Sequence, residues 1–153
     1  MTELDLQFLR RAFSGAGFSR FSFATGFVLH FSPTPGTPSE MSEELRVDLS
    51  CDWILGDEAE WEEMVRSFPI ASVEPSEPVQ AAALAALRWG PRSHVEELRF
   101  VGADLHLRFG DGRVLATRVE PSMDGPAWSV SVVASGRAWS VASEAGRLEG
   151  SSG

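Results

Sequence analysis

Three histidines, one cysteine and a dense set of carboxylates are the side chains of this 153-residue chain best equipped for chemistry. His30 and His106 each fall inside a period-two alternation, Phe27–Phe31 and Leu105–Phe109, at equivalent places in two similar segments. Both should therefore point away from the core. Such a pair would suit a metal site or a general base, but no His-Glu-x-x-His or comparably spaced ligand set accompanies it. Solvent-facing strand residues are the plainer reading, and His94 adds no motif. Cys51 alternates with Leu49 and Trp53 toward an apolar face and reads as a buried thiol rather than a nucleophile. As the single cysteine it excludes an internal disulfide and a thiolate metal cage. No serine lies in Gly-x-Ser-x-Gly or Ser-x-x-Lys, and the absence of lysine removes Schiff-base chemistry and the phosphate-loop lysine. Gly110 and Gly112 belong to a turn between strands, not a strand-to-helix phosphate loop. Asp48 and Asp52, if on one strand face, stand roughly 13 Å apart, too far to share a proton. The run Asp57–Glu63 lacks the glycine-centred alternation of a calcium loop. No catalytic residue, metal ligand or cofactor is assigned, and the protein is expected not to be an enzyme.

The carboxylates remain, and their distribution is uneven. Between Glu40 and Glu77 the chain carries twelve acids and two arginines, Arg46 and Arg66, for a net −10. Residues 1–39 sum to +1 and residues 78–153 to zero, which gives the total of −9. A concentrated negative field speeds encounter with a basic partner and repels nucleic acid and anionic membrane. Part of the run has a local explanation, because acids in the first turn of a helix complement its dipole. That does not account for Asp48 and Asp52 on the preceding strand. The candidate partner-binding residues are therefore Asp48, Asp52, Asp57, Glu58, Glu60 and Glu62. Trp61 joins them as an aromatic anchor of the kind that dominates interface energy, although core is the commoner fate of a tryptophan.

The elements that must position these residues follow from periodicity. Residues 2–13 read as a helix with Leu4, Phe8 and Leu9 on one stripe, opened by Thr2 or Asp5 and closed by Gly15 and Gly17. Alternation then begins at Phe18, with Gly26 as a bulge or turn before Phe27, Leu29 and Phe31. Pro33, Pro35 and Pro38 mark a loop. Leu45, Val47, Leu49, Cys51 and Trp53 alternate as one strand over 45–55. Helices follow over 57–67, closed by Pro69, and from Pro75-Ser76-Glu77-Pro78 through about Trp89, with Ser76 as N-cap and a nearly all-apolar Ala81–Leu87 stretch to bury. Leu98 and Phe100, Leu105–Phe109, Val114–Val119, Trp128–Val132 and Trp139–Val141 read as strands, with Asp111-Gly112 as a hairpin turn. The expected architecture is one α+β domain over 1–146, an antiparallel sheet of six to seven strands with two to three helices packed on one face. Residues 147–153 are expected to be a flexible tail.

The chain has no stretch near the roughly 18–20 apolar residues of a membrane span and no secretory signal pattern at its start, so a cytoplasmic, soluble protein is expected. The absence of Lys, Asn and Tyr, with only two Ile, indicates GC-rich coding and a bacterial source. The segments Leu45–Leu55 and Leu105–Val114, a strand carrying Trp-x-Leu followed by a Leu-x-Leu-x-Phe-x-Asp-Gly hairpin, resemble immunity proteins of bacterial polymorphic toxin systems. The resemblance covers about 45–120 and carries no catalytic residues. It implies a toxin-neutralising binding protein whose partner is a basic toxin domain, with no nucleic acid or membrane bound, acting as a monomer or weak dimer. Two alternatives stand beside it. One is a small-molecule-binding domain or degenerate enzyme with a pocket between sheet and Ala-rich helix; the other is an adaptor or chaperone for a secreted protein.

Overall fold

The computed structural model describes residues 2–70, 73–120 and 124–153. Among these, the chain forms three α-helices, α1 (Glu3–Phe13), α2 (Glu58–Ser67) and α3 (Ser76–Trp89), and ten strands. The strands are β1 (Gly17–Phe23), β2 (Phe27–Ser32), β3 (Glu44–Leu49), β4 (Asp52–Leu55), β5 (Val95–Val101), β6 (Asp104–Phe109), β7 (Val114–Arg118), β8 (Pro126–Ala134), β9 (Arg137–Glu144) and β10 (Arg147–Ser152). The α+β class holds, and every strand pair is antiparallel. The strands divide between two sheets, a six-stranded one in the order β1-β2-β3-β8-β9-β10 and a four-stranded one in the order β4-β7-β6-β5.

The division runs through the segment expected to be one strand over 45–55. Leu49 pairs with Trp128 in the large sheet, whereas Asp52 pairs with Arg118 in the small one. Ser50 and Cys51 form the corner between them, tied down by Ser50 N–H donating to the Ala127 carbonyl at 2.8 Å. The sheets meet again where Gly17 bridges His94, and the Trp128 indole N–H donates to the Ala103 carbonyl at 2.9 Å. Their inner faces supply one continuous core, in which Leu29, Val47, Trp128 and Val130 of the large sheet join Trp53, Leu98, Leu107 and Leu115 of the small one.

Helices α1 and α3 each touch both sheets, whereas α2 packs on β4 of the small sheet and on α3. Helix α1 touches β5 of the small sheet and β8 and β9 of the large one, while α3 touches β4 and β1. Helix α1 opens with a capping box, Thr2 Oγ1 accepting from Asp5 N–H while the Asp5 carboxylate accepts from Thr2 N–H. Its inward stripe is Leu9, Ala12 and Phe13; Leu4, expected on that stripe, is exposed. Helix α3 buries Val79, Gln80, Leu84 and Leu87, but Ala82 and Ala86 face solvent, so its alanine run is one-sided. Pro75, not Ser76, occupies its N-cap, and it supplies no side-chain cap.

The expected flexible tail is instead strand β10, paired residue by residue with β9 from Arg147–Glu144 to Ser152–Trp139. Among the described residues, no helix is long and apolar enough to cross a membrane.

Candidate functional site

Strand β4 sets the position of Asp52. It lies opposite Arg118 at the end of β7, and the alternation of the two strands puts both side chains on one face. Helix α2 then packs beside β4. Asp57 caps its start, the carboxylate accepting from Glu60 N–H at 3.0 Å. Glu58 and Glu62, one turn apart, project on one side of the helix. Arg118 lies between the groups: its Nη1 is 3.0 Å from Glu62 and 3.8 Å from Asp52, and its Nη2 is 3.2 Å from Glu58. Three carboxylates thus share one guanidinium and keep a net charge of −2. Glu60 has no side-chain partner among the described residues, and Glu63 pairs with Arg66 on the same helix.

Asp52 belongs to a second group as well. It lines a cleft of about 450 Å³ at the Ser50–Cys51 corner, together with Glu74, Glu77 and Gln80 from the start of α3 and Phe23 and Phe27 from the β1–β2 hairpin. Gly26 allows the hairpin to close on this corner, since a Cβ there would stand 2.5 Å from the Leu49 carbonyl oxygen. Glu74 and Glu77 make no side-chain hydrogen bond or ion pair with the described residues. Asp52 thus shares Arg118 with Glu58 and Glu62 and shares the cleft lining with Glu74 and Glu77.

Two of the residues selected from sequence fall outside it. Asp48 lies on β3 in the other sheet, where the Arg46 guanidinium grips it with two bonds of 2.9 and 2.7 Å and Ser129 Oγ donates to it at 3.3 Å. The corner at Ser50–Cys51 separates it from Asp52, so the pair does not share a strand face. Trp61 is only 2 % exposed and packs against Trp53 with ring centroids 5.9 Å apart. It is a core residue, closed to a partner in this structure. Asp52, Asp57, Glu58, Glu60 and Glu62 are the selected residues brought together.

The histidines point outward from the core, as the alternation predicts. His30 sits on the large sheet between Arg20 and Arg46 in register. Partial burial, and then the two guanidinium charges, lower its pKa from the ordinary histidine value. His106 lies on the small sheet beside Glu97, Arg99 and Arg108. The two are on different sheets, and among the described residues no three His, Cys, Asp or Glu side chains are placed to hold a metal ion. Burial pushes the Cys51 thiol up to about 11, so it stays neutral at pH 7 and is a poor nucleophile. The cleft beside α3 carries neither His30 nor His106, nor a tryptophan, in its lining.

The sequence gives no role to Arg118, Gln80 and the two phenylalanines, and it counts Glu74 and Glu77 only among the acids of the Glu40–Glu77 run. Gln80 did leave a signal, as the single polar residue in the stretch Val79–Leu87. Arg118 left none, because only the β4–β7 pairing brings it to the acids.

No protein-family model matches this chain, and comparisons with curated proteins and with solved structures give no significant match.

Proposed function

We propose that the protein is a non-enzymatic binding protein that engages a basic protein partner through the surface formed by β4, α2 and the start of α3. The observation that carries this reading is the double membership of Asp52. It shares Arg118 with Glu58 and Glu62, and it shares the corner cleft with Glu74 and Glu77. Charges dispersed for solubility have no reason to converge on one residue in this way. A converging negative field raises the encounter rate with a positive surface and disfavours acidic ones. Within the class of binding proteins, toxin neutralisation suits the surface best: a toxin acting on nucleic acid presents a basic face shaped for phosphate, and the carboxylates would occupy the place of the backbone. The setting for this role is a bacterial cytoplasm, with the protein a monomer or weak dimer.

The test is capture from the source organism with the wild-type chain and with Glu60→Arg/Glu74→Arg/Glu77→Arg. These three carboxylates hold no described ion pair, so reversing them changes the field without dismantling the Arg118 cluster. A basic protein retained by the wild type and lost by the variant is the expected result. Capture of an acidic partner, or equal capture by both chains, would sink the proposal.

A further inference from the structure

Four strands end the two sheets, β1 and β10 in the large one and β4 and β5 in the small one. An edge strand carries a row of unpaired N–H and C=O groups, and chains that must stay apart blunt or cover that row. Three of these edges are met by groups from elsewhere in the chain. On β1, Phe18 N–H donates to the Ser93 carbonyl at 3.2 Å, the Arg88 guanidinium donates to the Ser19 carbonyl at 2.6 Å, and a bulge interrupts the strand between Phe18 and Arg20. On β4, the Gln80 amide donates to the Trp53 carbonyl at 2.9 Å. On β5, Val95 exchanges bonds of 2.8 Å with Gly15 and Ala16, and the Arg10 guanidinium donates to the Leu98 carbonyl at 3.3 Å.

Strand β10 has no such cover. Among the described residues, every hydrogen bond to its backbone comes from β9. It contains no Lys and no Pro, its register with β9 has no shift, and all six of its residues are exposed. The phase of its free groups follows from one pair. Gly153 and Ala138 exchange bonds of 2.9 and 2.7 Å, and hydrogen-bonded pairs alternate along an antiparallel ladder. Arg147, Glu149 and Ser151 therefore bond inward to β9, and Leu148, Gly150 and Ser152 present their N–H and C=O groups outward.

These outward groups fit a second copy of the same strand. Arg147 and Glu149 are its only charges and cancel, so β10 is neutral within a chain of net −9 and offers a basic partner no advantage. Antiparallel self-pairing must set Leu148, Gly150 and Ser152 against one another. Centred on Glu149, it opposes two like carboxylates. Centred on Leu148, it opposes Arg147 to Glu149 twice but sets Gly150 and Ser152 against the β9–β10 turn. Centred on Gly150, it pairs Leu148 with Ser152 of the second copy, Gly150 with its equivalent and Ser152 with Leu148, for about six backbone bonds. It also places Glu149 opposite the Ser151 hydroxyl. The additional backbone bonds outweigh two exposed ion pairs.

We propose that two copies of the chain join edge to edge through β10, antiparallel about a two-fold axis at Gly150, and so continue the large sheet from one copy into the next. This interface uses none of the acids on β4, α2 and the start of α3, so it stands or falls separately from the function proposed above.

Sedimentation equilibrium of the full chain from about 20 µM to about 1 mM, with amide exchange at both ends of that range, tests the pairing. The mass should rise from monomer toward dimer. The amides of Leu148, Gly150 and Ser152 should exchange about 3-fold more slowly at the higher concentration, while those of Glu149 and Ser151 are protected equally at both. Gly150→Pro removes the donor at the axis without touching the β9 ladder. It should keep the chain monomeric while Glu149 and Ser151 stay protected. A monomer throughout the range, or a dimer indifferent to Gly150→Pro, would overturn the proposal. Protection of Leu148 without Ser152 would overturn the axis at Gly150. Protection of the outward amides only when another protein is added would assign the edge to that protein's strand and overturn the pairing of copies.

Discussion

Arg118 sets how much of the acidic surface is neutralised. Its guanidinium is the one cation among the described residues within ion-pair distance of Asp52, Glu58 and Glu62. Arg118→Ala leaves three like charges facing one another. The expected stability loss is small, about 0.5–1 kcal/mol, because all four groups are partly solvated; a urea midpoint reads it. The same substitution should speed association with a basic partner, so stability and binding move in opposite directions. Trp61 behaves differently. It is sealed against Trp53, and Trp61→Ala should cost about 3–5 kcal/mol in urea unfolding through the cavity it leaves. At a temperature where that variant remains folded, its affinity for the partner should be unchanged. These contrasts mark what was legible at this scale. The outward direction of His30 and His106 and the opening of a helix at Asp57 follow from local spacing. The burial of Trp61 and the gathering role of Arg118 depend on which strand pairs with which, and local spacing does not carry that.

At the scale of elements, the three helices were legible because each has an apolar stripe and a chemical start or stop. The capping box of α1 makes a pH prediction. The hydrogen bonds from Thr2, backbone first, lower the Asp5 carboxyl pKa below its ordinary value of 3.8. A depressed carboxylate contributes stability that is present above the ordinary value and is lost as pH falls through the lowered one. Carbon-detected titration of the Asp5 carboxyl should therefore show a midpoint below 3.8, and Thr2→Ala should return it toward that value. The corner at Ser50–Cys51 was harder to see, since Leu49, Cys51 and Trp53 keep the period of two across it. What ends the alternation is Trp53-Ile54-Leu55, three successive buried residues. From Trp53 onward strand β4 is covered on both faces, and a run buried on both faces no longer reports which sheet it belongs to. Strand β10 was illegible for the opposite reason. Every side chain from Arg147 to Ser152 is exposed, so no apolar pattern betrays a strand held by its ladder with β9.

For the whole molecule, the proposed binding surface draws on the charge segregation in the sequence and on the contacts that converge on Asp52. The sequence places −10 between residues 40 and 77. Folding removes Asp48 to the far sheet and ties Glu63 to Arg66. Glu40, Glu43 and Glu44 stay with β3 and the turn before it, and seven acids, Asp52, Asp57, Glu58, Glu60, Glu62, Glu74 and Glu77, are left on β4, α2 and the approach to α3. Such a surface acts on association more than on dissociation, because long-range attraction falls away with screening. The most direct measurement is the association rate with the captured partner across a range of ionic strength, for the wild type and for Glu60→Arg/Glu74→Arg/Glu77→Arg. The wild-type rate should fall steeply as salt rises, and the variant should be slower at low salt by about 10-fold or more, with a flattened dependence. Equal rates and equal salt slopes for the two chains would contradict the claim that this surface recruits a basic partner.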